Sequence, residues 1–357
     1  MKRKISIIMI LTMLVFVLAA CGGKQNVPNA NTTTAPSATA PSGTAPTAAE
    51  GVKTGLAVIS SIAKSTDAGE KDGLAEVDST IVAVMVDSTG KIANCKIDAV
   101  QTKINFSKEG KITTPLDTAF KTKQELGTAY GMGKASKIKK EWNEQANAFA
   151  AYVTGKTVDE VKGIAVNAEG VPTAAELTSS VTVHIADFVA AIEKAVANAK
   201  DLGAKSGDKL GFGAVTVINK STDAAADKEG LAQAYSTYTA ATFGADGKIT
   251  SSIIDASQSN VNFSKDGKIT SDKAAVLKTK NELGPEYGMA KASKIKKEWN
   301  EQADAFAKYV VGKTAAEVKG IAVNAEGVPT AAELTSSVTI HVDDFMTIIE
   351  KASANAK

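Results

Sequence analysis

The segment Thr173-Ala-Ala-Glu-Leu-Thr-Ser-Ser-Val-Thr-Val-His184 occurs almost letter for letter a second time, as Thr330-Ala-Ala-Glu-Leu-Thr-Ser-Ser-Val-Thr-Ile-His341. Each copy places a threonine two positions before a histidine, and these are the only two histidines in the sequence. Threonine and histidine at this spacing lie on one face of an extended segment. The repetition predicts a chain built from two similar units that perform the same task.

The repetition extends well beyond this segment. We align the chain with itself at a constant offset of 157 residues without gaps, and Lys134–Thr182 matches Lys291–Thr339 with only five differences. A period of this length indicates duplicated domains rather than a solenoid. The alignment predicts two repeats, residues 55–200 and 213–357, joined by a glycine-containing linker over residues 201–212.

Each repeat is expected to have an α+β fold, in which an antiparallel sheet packs with helices. Thr80–Val86 and Lys91–Val100 flank the turn Asp87-Ser-Thr-Gly90, and this pattern predicts a β-hairpin. The second repeat has an equivalent turn at Gly244-Ala-Asp-Gly247. Apolar residues at helical spacing predict a helix over Lys134–Val153, with a glycine at its end.

Several short motifs have the spacing of helix caps. Thr157-Val-Asp-Glu160 has capping-box spacing before a short helix, and so has Thr173-Ala-Ala-Glu176. In the second case a capping role for the glutamate is the structural alternative to a functional motif. Asp187 and Asp344 are expected to cap a closing helix in each repeat.

The repeated segment resembles the attachment motif of flavin-binding proteins that carry FMN through a phosphoester bond to a threonine, written Asp-x-x-Ser-Gly-Ala-Thr. The family includes flavinylated subunits of the sodium-pumping NADH:quinone oxidoreductase and two-domain lipoproteins of extracellular electron transfer in Gram-positive bacteria. The spacing from the acid to the last threonine matches, whereas Glu replaces Asp, Ser replaces Gly and Val replaces Ala. The pattern stands here as Glu176-Leu-Thr-Ser179-Ser180-Val181-Thr182 and Glu333-Leu-Thr-Ser336-Ser337-Val338-Thr339.

The resemblance implies two covalent FMN groups per chain, attached to Thr182 and Thr339 by a flavin transferase that uses FAD as donor. It also implies an electron carrier rather than an enzyme, which receives electrons from a membrane quinol-linked partner and passes them to extracellular acceptors such as ferric iron. His184 and His341 would couple flavin reduction to pH if they face the ring. A surface or packing role is the alternative for both histidines.

The N-terminus has the features of a lipoprotein leader. Met1-Lys-Arg-Lys4 precedes the apolar run Ile5–Ala19, which is short for a membrane span, so residues 1–20 are predicted to be an export signal. Leu18-Ala19-Ala20-Cys21 matches a bacterial lipobox. Two acyl chains on Cys21 would hold the protein on the outer face of the membrane; an uncut signal anchor is the alternative.

Residues 21–54 are expected to form a disordered tether. They are mostly Asn, Thr, Ala, Pro, Ser and Gly, so this segment buries too little apolar surface to offset its conformational entropy. About thirty such residues reach roughly 30 Å on average, which would lift the repeats into the cell wall.

Charge and cysteine content exclude several functions. Without Lys2, Arg3 and Lys4 of the leader, the sequence has 38 basic and 39 acidic side chains. This balance gives no basic field for nucleic acid. Lipidation of Cys21 would leave Cys95 alone, without an internal disulfide, and we interpret Cys95 as a small half-buried strand residue.

Two other classes of function are alternatives to the electron carrier. A non-redox ligand-binding or surface lipoprotein would use the motif only as a Ser/Thr-rich turn that leads into a strand. Independent catalysis is disfavoured because the sequence has no nucleophile elbow, no Cys-x-x-Cys pair and one histidine per repeat. Trp142 and Trp299 are interpreted as core residues rather than as covers for a flavin ring. Tyr130 and Tyr287 lie in glycine-rich segments that are interpreted as tight loops, with reach to a flavin as the alternative.

Overall fold

The computed structural model describes residues 50–357, which belong to one compact unit. The predicted signal peptide, the lipidation of Cys21 and most of the predicted tether therefore lie outside the described residues. No helix between residues 50 and 357 has the length and apolar character needed to cross a membrane.

Each repeat contains a three-stranded antiparallel sheet whose strands are ordered as in the chain. The second and third strands are long, and the turns between them are those that the sequence predicts. This arrangement, packed with helices, confirms the α+β fold and the two hairpins. The strands are β1 Lys53–Ser61, β2 Gly73–Val86 and β3 Ile92–Phe106 in repeat 1, and β4 Lys209–Val217, β5 Gly230–Phe243 and β6 Ile249–Phe263 in repeat 2.

The helices follow the sheet in each repeat and recur at matching positions. In repeat 1 they are α1 Lys123–Leu126, α2 Trp142–Val153, α3 Val158–Lys162, α4 Ala175–Thr178 and α5 Ala186–Ala197. In repeat 2 they are α6 Lys280–Leu283, α7 Trp299–Tyr309, α8 Ala315–Lys319, α9 Ala332–Thr335 and α10 Asp343–Asn355.

The predicted helix over Lys134–Val153 is wrong before Trp142, where α2 begins. Lys139 has a left-handed backbone (φ +56°), which a continuous helix does not allow. Glu141 is extended and caps α2, because its backbone N–H donates to the Glu144 carboxylate at 2.7 Å. The helix therefore begins at Trp142, and Gly155 follows its end with φ +85°, as predicted.

Three of the expected helix caps are absent. The Thr173 hydroxyl donates to the Ala165 carbonyl at 3.2 Å instead of capping α4, which begins after Ala174 without a side-chain cap. Asp187 and Asp344 lie in the first turns of α5 and α10, where a negative charge is favourable, but neither is the capping residue. The capping box at Thr157 is present as predicted.

The ends of the repeats differ from the sequence alignment. The pairings of β1 and β4 correspond at an offset of 156 residues, and the offset of 157 begins only after one residue is inserted in the loop before β5. Val52 is buried and Lys53 begins β1, so the predicted tether is a few residues too long. Lys209 begins β4, which leaves residues 201–208 as the connection.

Each repeat has a core of its own between its sheet and its helices. In repeat 1, aromatic residues of α2 and α5 pack on β2 and β3, and repeat 2 has the equivalent core. Trp142 meets Phe188 edge to face at 5.7 Å, and Trp299 meets Phe345 in the same way at 5.8 Å. Both tryptophans are buried core residues, as interpreted, and Trp142 in addition borders a cavity.

Two further apolar clusters contain residues of both repeats, and two ion pairs between the repeats are reciprocal. Lys194 of repeat 1 binds Glu282 of repeat 2 at 2.6 Å, while Lys351 of repeat 2 binds Glu125 of repeat 1 at 2.7 Å. The rings of Phe106 and Phe263 stack at 4.3 Å where the two halves meet. The repeats are thus related by an approximate two-fold axis.

Two buried carboxyl groups lie at equivalent positions in β3 and β6. Asp98 Oδ1 accepts hydrogen bonds from the backbone N–H groups of Ala99 and Gln124, and Asp255 Oδ1 accepts the equivalent pair. Burial raises the pKa of each carboxyl to about 7, against the opposing effect of these hydrogen bonds. Both groups therefore remain protonated well above the usual range of an aspartate.

Candidate functional site

Thr182 follows the short helix α4 and comes directly after a segment that is anchored in the core. Leu177 and Val181 are buried in the core of repeat 1, which fixes the backbone on the N-terminal side of the threonine. The segment 181–185 has no regular secondary structure. Thr182 itself is only half-buried, so its hydroxyl lies on a rigid but accessible part of the chain.

A buried glutamine on α2 holds this threonine. Gln145 Oε1 accepts a hydrogen bond from the Thr182 backbone N–H at 2.8 Å and one from its hydroxyl at 3.1 Å. The Gln145 Nε2 group donates to the Lys140 carbonyl at 3.0 Å and to the Ser136 hydroxyl at 3.3 Å. Because the amide nitrogen faces these two acceptors, its oxygen must face the threonine.

Repeat 2 builds the same arrangement with Gln302 and Thr339. Gln302 Oε1 accepts from the threonine N–H at 2.9 Å and from its hydroxyl at 3.1 Å. In both repeats the hydroxyl donates its proton to an amide oxygen, which leaves the lone pairs of the threonine oxygen free to accept. The arrangement orients one hydroxyl oxygen per repeat, but an amide is too weak a base to deprotonate it.

A cavity of about 950 Å³ lies beside Thr182. Its walls combine aromatic rings with ammonium groups, a lining that suits a flat anionic ligand. Lys123 Nζ lies 4.8 Å from the ring centroid of Tyr130 and 5.1 Å from that of Trp142. The residues that line the cavity include Lys64, Lys123, Lys137, Tyr130, Trp142, Gln145, Thr182 and His184.

The cavity wall also carries an ion pair from the sheet. Lys64 Nζ lies 2.6 Å from the Asp78 carboxylate on β2, and this hydrogen bond raises the pKa of the lysine. The lysine side chain is two-thirds exposed, so water screens the pair and its contribution to stability is small. Its position at the rim leaves the ammonium available to a second anion.

Repeat 2 has two smaller cavities in place of one. A cavity of about 530 Å³ is lined by Thr339 and Gln302, and another of about 500 Å³ by His341, Lys220 and Tyr235. Thr182 and His184 thus line the same cavity, whereas Thr339 and His341 line different ones.

The other residues of the predicted motif lie outside these cavity walls. Glu176 and Ser179 are exposed on α4 and at its end, and the Ser180 hydroxyl donates to the Leu177 carbonyl at 3.1 Å. Glu333, Ser336 and Ser337 have the same positions in repeat 2. These side chains shape the turn before the threonine and do not contact its hydroxyl.

Cys95 lies in β3 as a buried free thiol. Burial raises the pKa of this thiol to about 12, so the reactive thiolate is absent near neutral pH. The structure confirms the interpretation of Cys95 as a small strand residue, although it is more fully buried than predicted.

Sequence reasoning missed the two glutamines. Trp142-Asn-Glu-Gln145 recurs unchanged as Trp299-Asn-Glu-Gln302, and both glutamines fall on the buried face of an amphipathic helix. An amide at a buried position needs a partner, and this requirement was the available signal. The sequence does not show that the partner is a threonine 37 residues away.

Replacement of Gln145 by Leu should selectively impair any modification of the Thr182 hydroxyl. Leucine fills a similar volume but accepts no hydrogen bond, so the hydroxyl loses its orientation, and we expect a cost in stability of about 1–3 kcal/mol. The measurement is the extent of modification at each threonine by peptide mass mapping. Gln302→Leu is the matched control and should affect Thr339 alone. Equal effects of either variant on both threonines would contradict a local role.

Similarity to known proteins covers part of the chain. A stretch of 94 residues is 34% identical to a chlorophenol reductase from Desulfitobacterium hafniense, over 23% of this chain and 29% of that protein. The chain therefore covers less than a third of this relative's length. No model of a known protein family matches the chain, and no solved structure matches it.

The fold and the site define a class of protein. The chain is a two-repeat α+β protein in which each repeat presents one glutamine-bound threonine hydroxyl beside a cavity.

Proposed function

We propose that this protein is a membrane-anchored extracellular electron carrier with two covalent FMN groups, one on Thr182 and one on Thr339. The observation that carries the proposal is the duplicated pair of a threonine hydroxyl and a buried glutamine at the wall of a cavity. A phosphoester needs a hydroxyl on an ordered but accessible backbone, and both threonines meet this requirement.

The residues of the first cavity fit the proposed group. Trp142 and Tyr130 offer aromatic surface to an isoalloxazine ring, and Lys64 and Lys137 offer positive charge to a phosphate. The volume of about 950 Å³ lies within the range typical of cofactor sites, which is about 300–1,000 Å³. FMN, once bound, supplies reversible electron transfer, while the protein supplies attachment, orientation and electrostatics.

The similarity to a chlorophenol reductase supports a redox role, because that protein is named for a reduction. The remaining parts of the proposal come from the resemblance of the attachment motif. They are the FAD-dependent flavin transferase, a membrane quinone-linked donor and an acceptor such as ferric iron. In this role the chain carries electrons and acts as a carrier rather than as an enzyme.

The proposal is tested by intact-mass analysis of the protein after export from its native host, with and without the flavin transferase. We expect the mass of two FMN phosphoesters when the transferase is present, a yellow colour that survives denaturation, and neither feature in its absence. Exported protein without covalent flavin would refute the electron carrier. The sequence would then favour a non-redox ligand-binding or surface lipoprotein.

The membrane anchor is tested separately through Cys21. We expect Cys21→Ser to release the protein from the membrane fraction, because serine cannot accept a thioether-linked diacylglyceryl group. The measurement is the distribution of the protein between membrane and medium, and Cys95→Ser is the control that should leave it unchanged. Membrane retention of the Cys21→Ser variant would contradict lipid anchoring.

A further inference from the structure

We infer that Tyr235 makes the two sites inequivalent: it closes the aromatic pocket of repeat 2 that repeat 1 keeps open to receive a flavin ring. This inference rests on the proposed function, since it concerns where each attached ring would lie. It predicts that the ring on Thr182 is sheltered against Trp142, whereas the ring on Thr339 stays outside the aromatic pocket.

The difference begins at one position of the sheet. Asp78 and Tyr235 occupy equivalent places in β2 and β5, because Asp78 pairs with Gln101 and Tyr235 pairs with Gln258. In repeat 1 the short Asp78 side chain turns to Lys64, with an Nζ to carboxylate distance of 2.6 Å. Lys64, the partner of Asp78, lines the large cavity together with Tyr130 and Trp142.

In repeat 2 the tyrosine at this position contacts a buried lysine and lines the cavity of Lys220 and His341. Lys280 Nζ donates to the Tyr235 hydroxyl at 2.9 Å and lies 4.4–4.8 Å from the ring centroids of Tyr235, Tyr287 and Trp299. Only 3% of the Lys280 surface is exposed. The ammonium thus occupies an aromatic cage of three rings, whereas Lys123 in repeat 1 has two rings beside an open cavity.

The residues that line the cavities differ between the two repeats in the way that this closure requires. Thr182, His184, Lys64, Tyr130 and Trp142 all line one cavity in repeat 1. In repeat 2, Tyr235 lines only the cavity of His341, and neither Trp299 nor Tyr287 is among the residues that line that cavity or the cavity of Thr339. A planar group tied to Thr339 therefore lacks the aromatic surface that a group tied to Thr182 can reach.

The first test needs no covalent flavin. Protein made without the flavin transferase is titrated with FMN by calorimetry, and we expect one binding site per chain. Asp78→Tyr should weaken this binding by about tenfold or more, and Tyr235→Asp should add a second site. Tyr235→Phe is the matched control: it keeps the ring and should leave a single site. Two equal sites in the native chain, no binding at all, or an unchanged count in folded Tyr235→Asp would overturn the inference.

The second test uses flavin-loaded protein with one site removed. In Thr339→Ala only the flavin on Thr182 remains, and its fluorescence should be largely quenched by Trp142 and protected from iodide. In Thr182→Ala the flavin on Thr339 should be several-fold more sensitive to iodide. Equal sensitivities would overturn the inequivalence while leaving the electron carrier intact, and absence of covalent flavin in the native chain would refute the carrier itself.

Discussion

Replacement of Thr182 and Thr339 by alanine is expected to lower the covalent flavin content from two per chain to one for either single variant and to none for the double variant. Alanine removes the hydroxyl that a phosphoester requires. It also removes one hydrogen bond to a buried glutamine, which costs about 1 kcal/mol, so the variants should remain folded. The double variant should be colourless and should fail to pass electrons to ferric iron.

Neighbouring hydroxyl groups make the site of attachment part of this test. Thr178 donates to the Ala175 carbonyl and Ser180 donates to the Leu177 carbonyl, so both are engaged within the turn of α4. Peptide mapping must therefore identify the modified residue. Thr182→Ser is the matched control, since serine keeps the hydroxyl and its bond to Gln145, and it should retain the flavin. Two covalent flavins on a folded double-alanine variant would show that other residues carry them.

The second large effect concerns the stability of the fold as pH changes. The folded chain keeps protons on Asp98 and Asp255 up to a pKa of about 7, whereas an unfolded aspartate releases its proton near pH 4. Folding therefore takes up protons between about pH 4 and pH 7, and the free energy of unfolding should fall as pH rises through this window. Ionisation of each carboxyl should lower the free energy of unfolding by about 2–4 kcal/mol. This decrease is complete once the pH is above the pKa of the carboxyl in the folded chain.

Replacement of both Asp98 and Asp255 by Asn should make the free energy of unfolding less dependent on pH. Asparagine retains an oxygen that accepts the two backbone hydrogen bonds but cannot ionise, so Asp98→Asn with Asp255→Asn should stabilise the protein at pH 8 and change little at pH 4. Urea unfolding across this range is the measurement. Asp304→Asn is the control, because Asn147 already occupies the equivalent place in repeat 1. Parallel pH curves for the native and double-variant proteins would show that the carboxyl groups ionise normally.

The elements that follow from local sequence were predictable. The hairpins depend on turns such as Asp87–Gly90, where a glycine takes the left-handed conformation, and Gly155 ends α2 for the same reason. The start of α2 was missed because the apolar residue Ile138 fits the helical period, while the interruption at Lys139 depends on backbone geometry that periodicity does not reveal. Local patterns thus identified the elements better than their ends.

The features that join distant residues were not predictable from one sequence. The pairing of Gln145 with Thr182, the cage around Lys280 and the contacts between the repeats all depend on how sheets and helices pack. The inserted residue before β5 escaped notice because the later part of each repeat is nearly identical and dominates the alignment. Both threonines and both histidines line cavities, which the motif does not predict, and the difference between the two sites arises from Tyr235, outside the motif.

The reciprocal contacts between the repeats indicate how such a chain arose. An isologous dimer joins two copies through the same patch, so each contact occurs twice around its axis. Lys194 with Glu282 and Lys351 with Glu125 form one such pair of contacts inside a single polypeptide. The molecule thus has the architecture of a homodimer whose subunits were fused by gene duplication. After fusion, the two halves can change independently. One example is the position that is Asp78 in repeat 1 and Tyr235 in repeat 2. In a homodimer both subunits are encoded by one gene, so such a change cannot occur in one subunit alone.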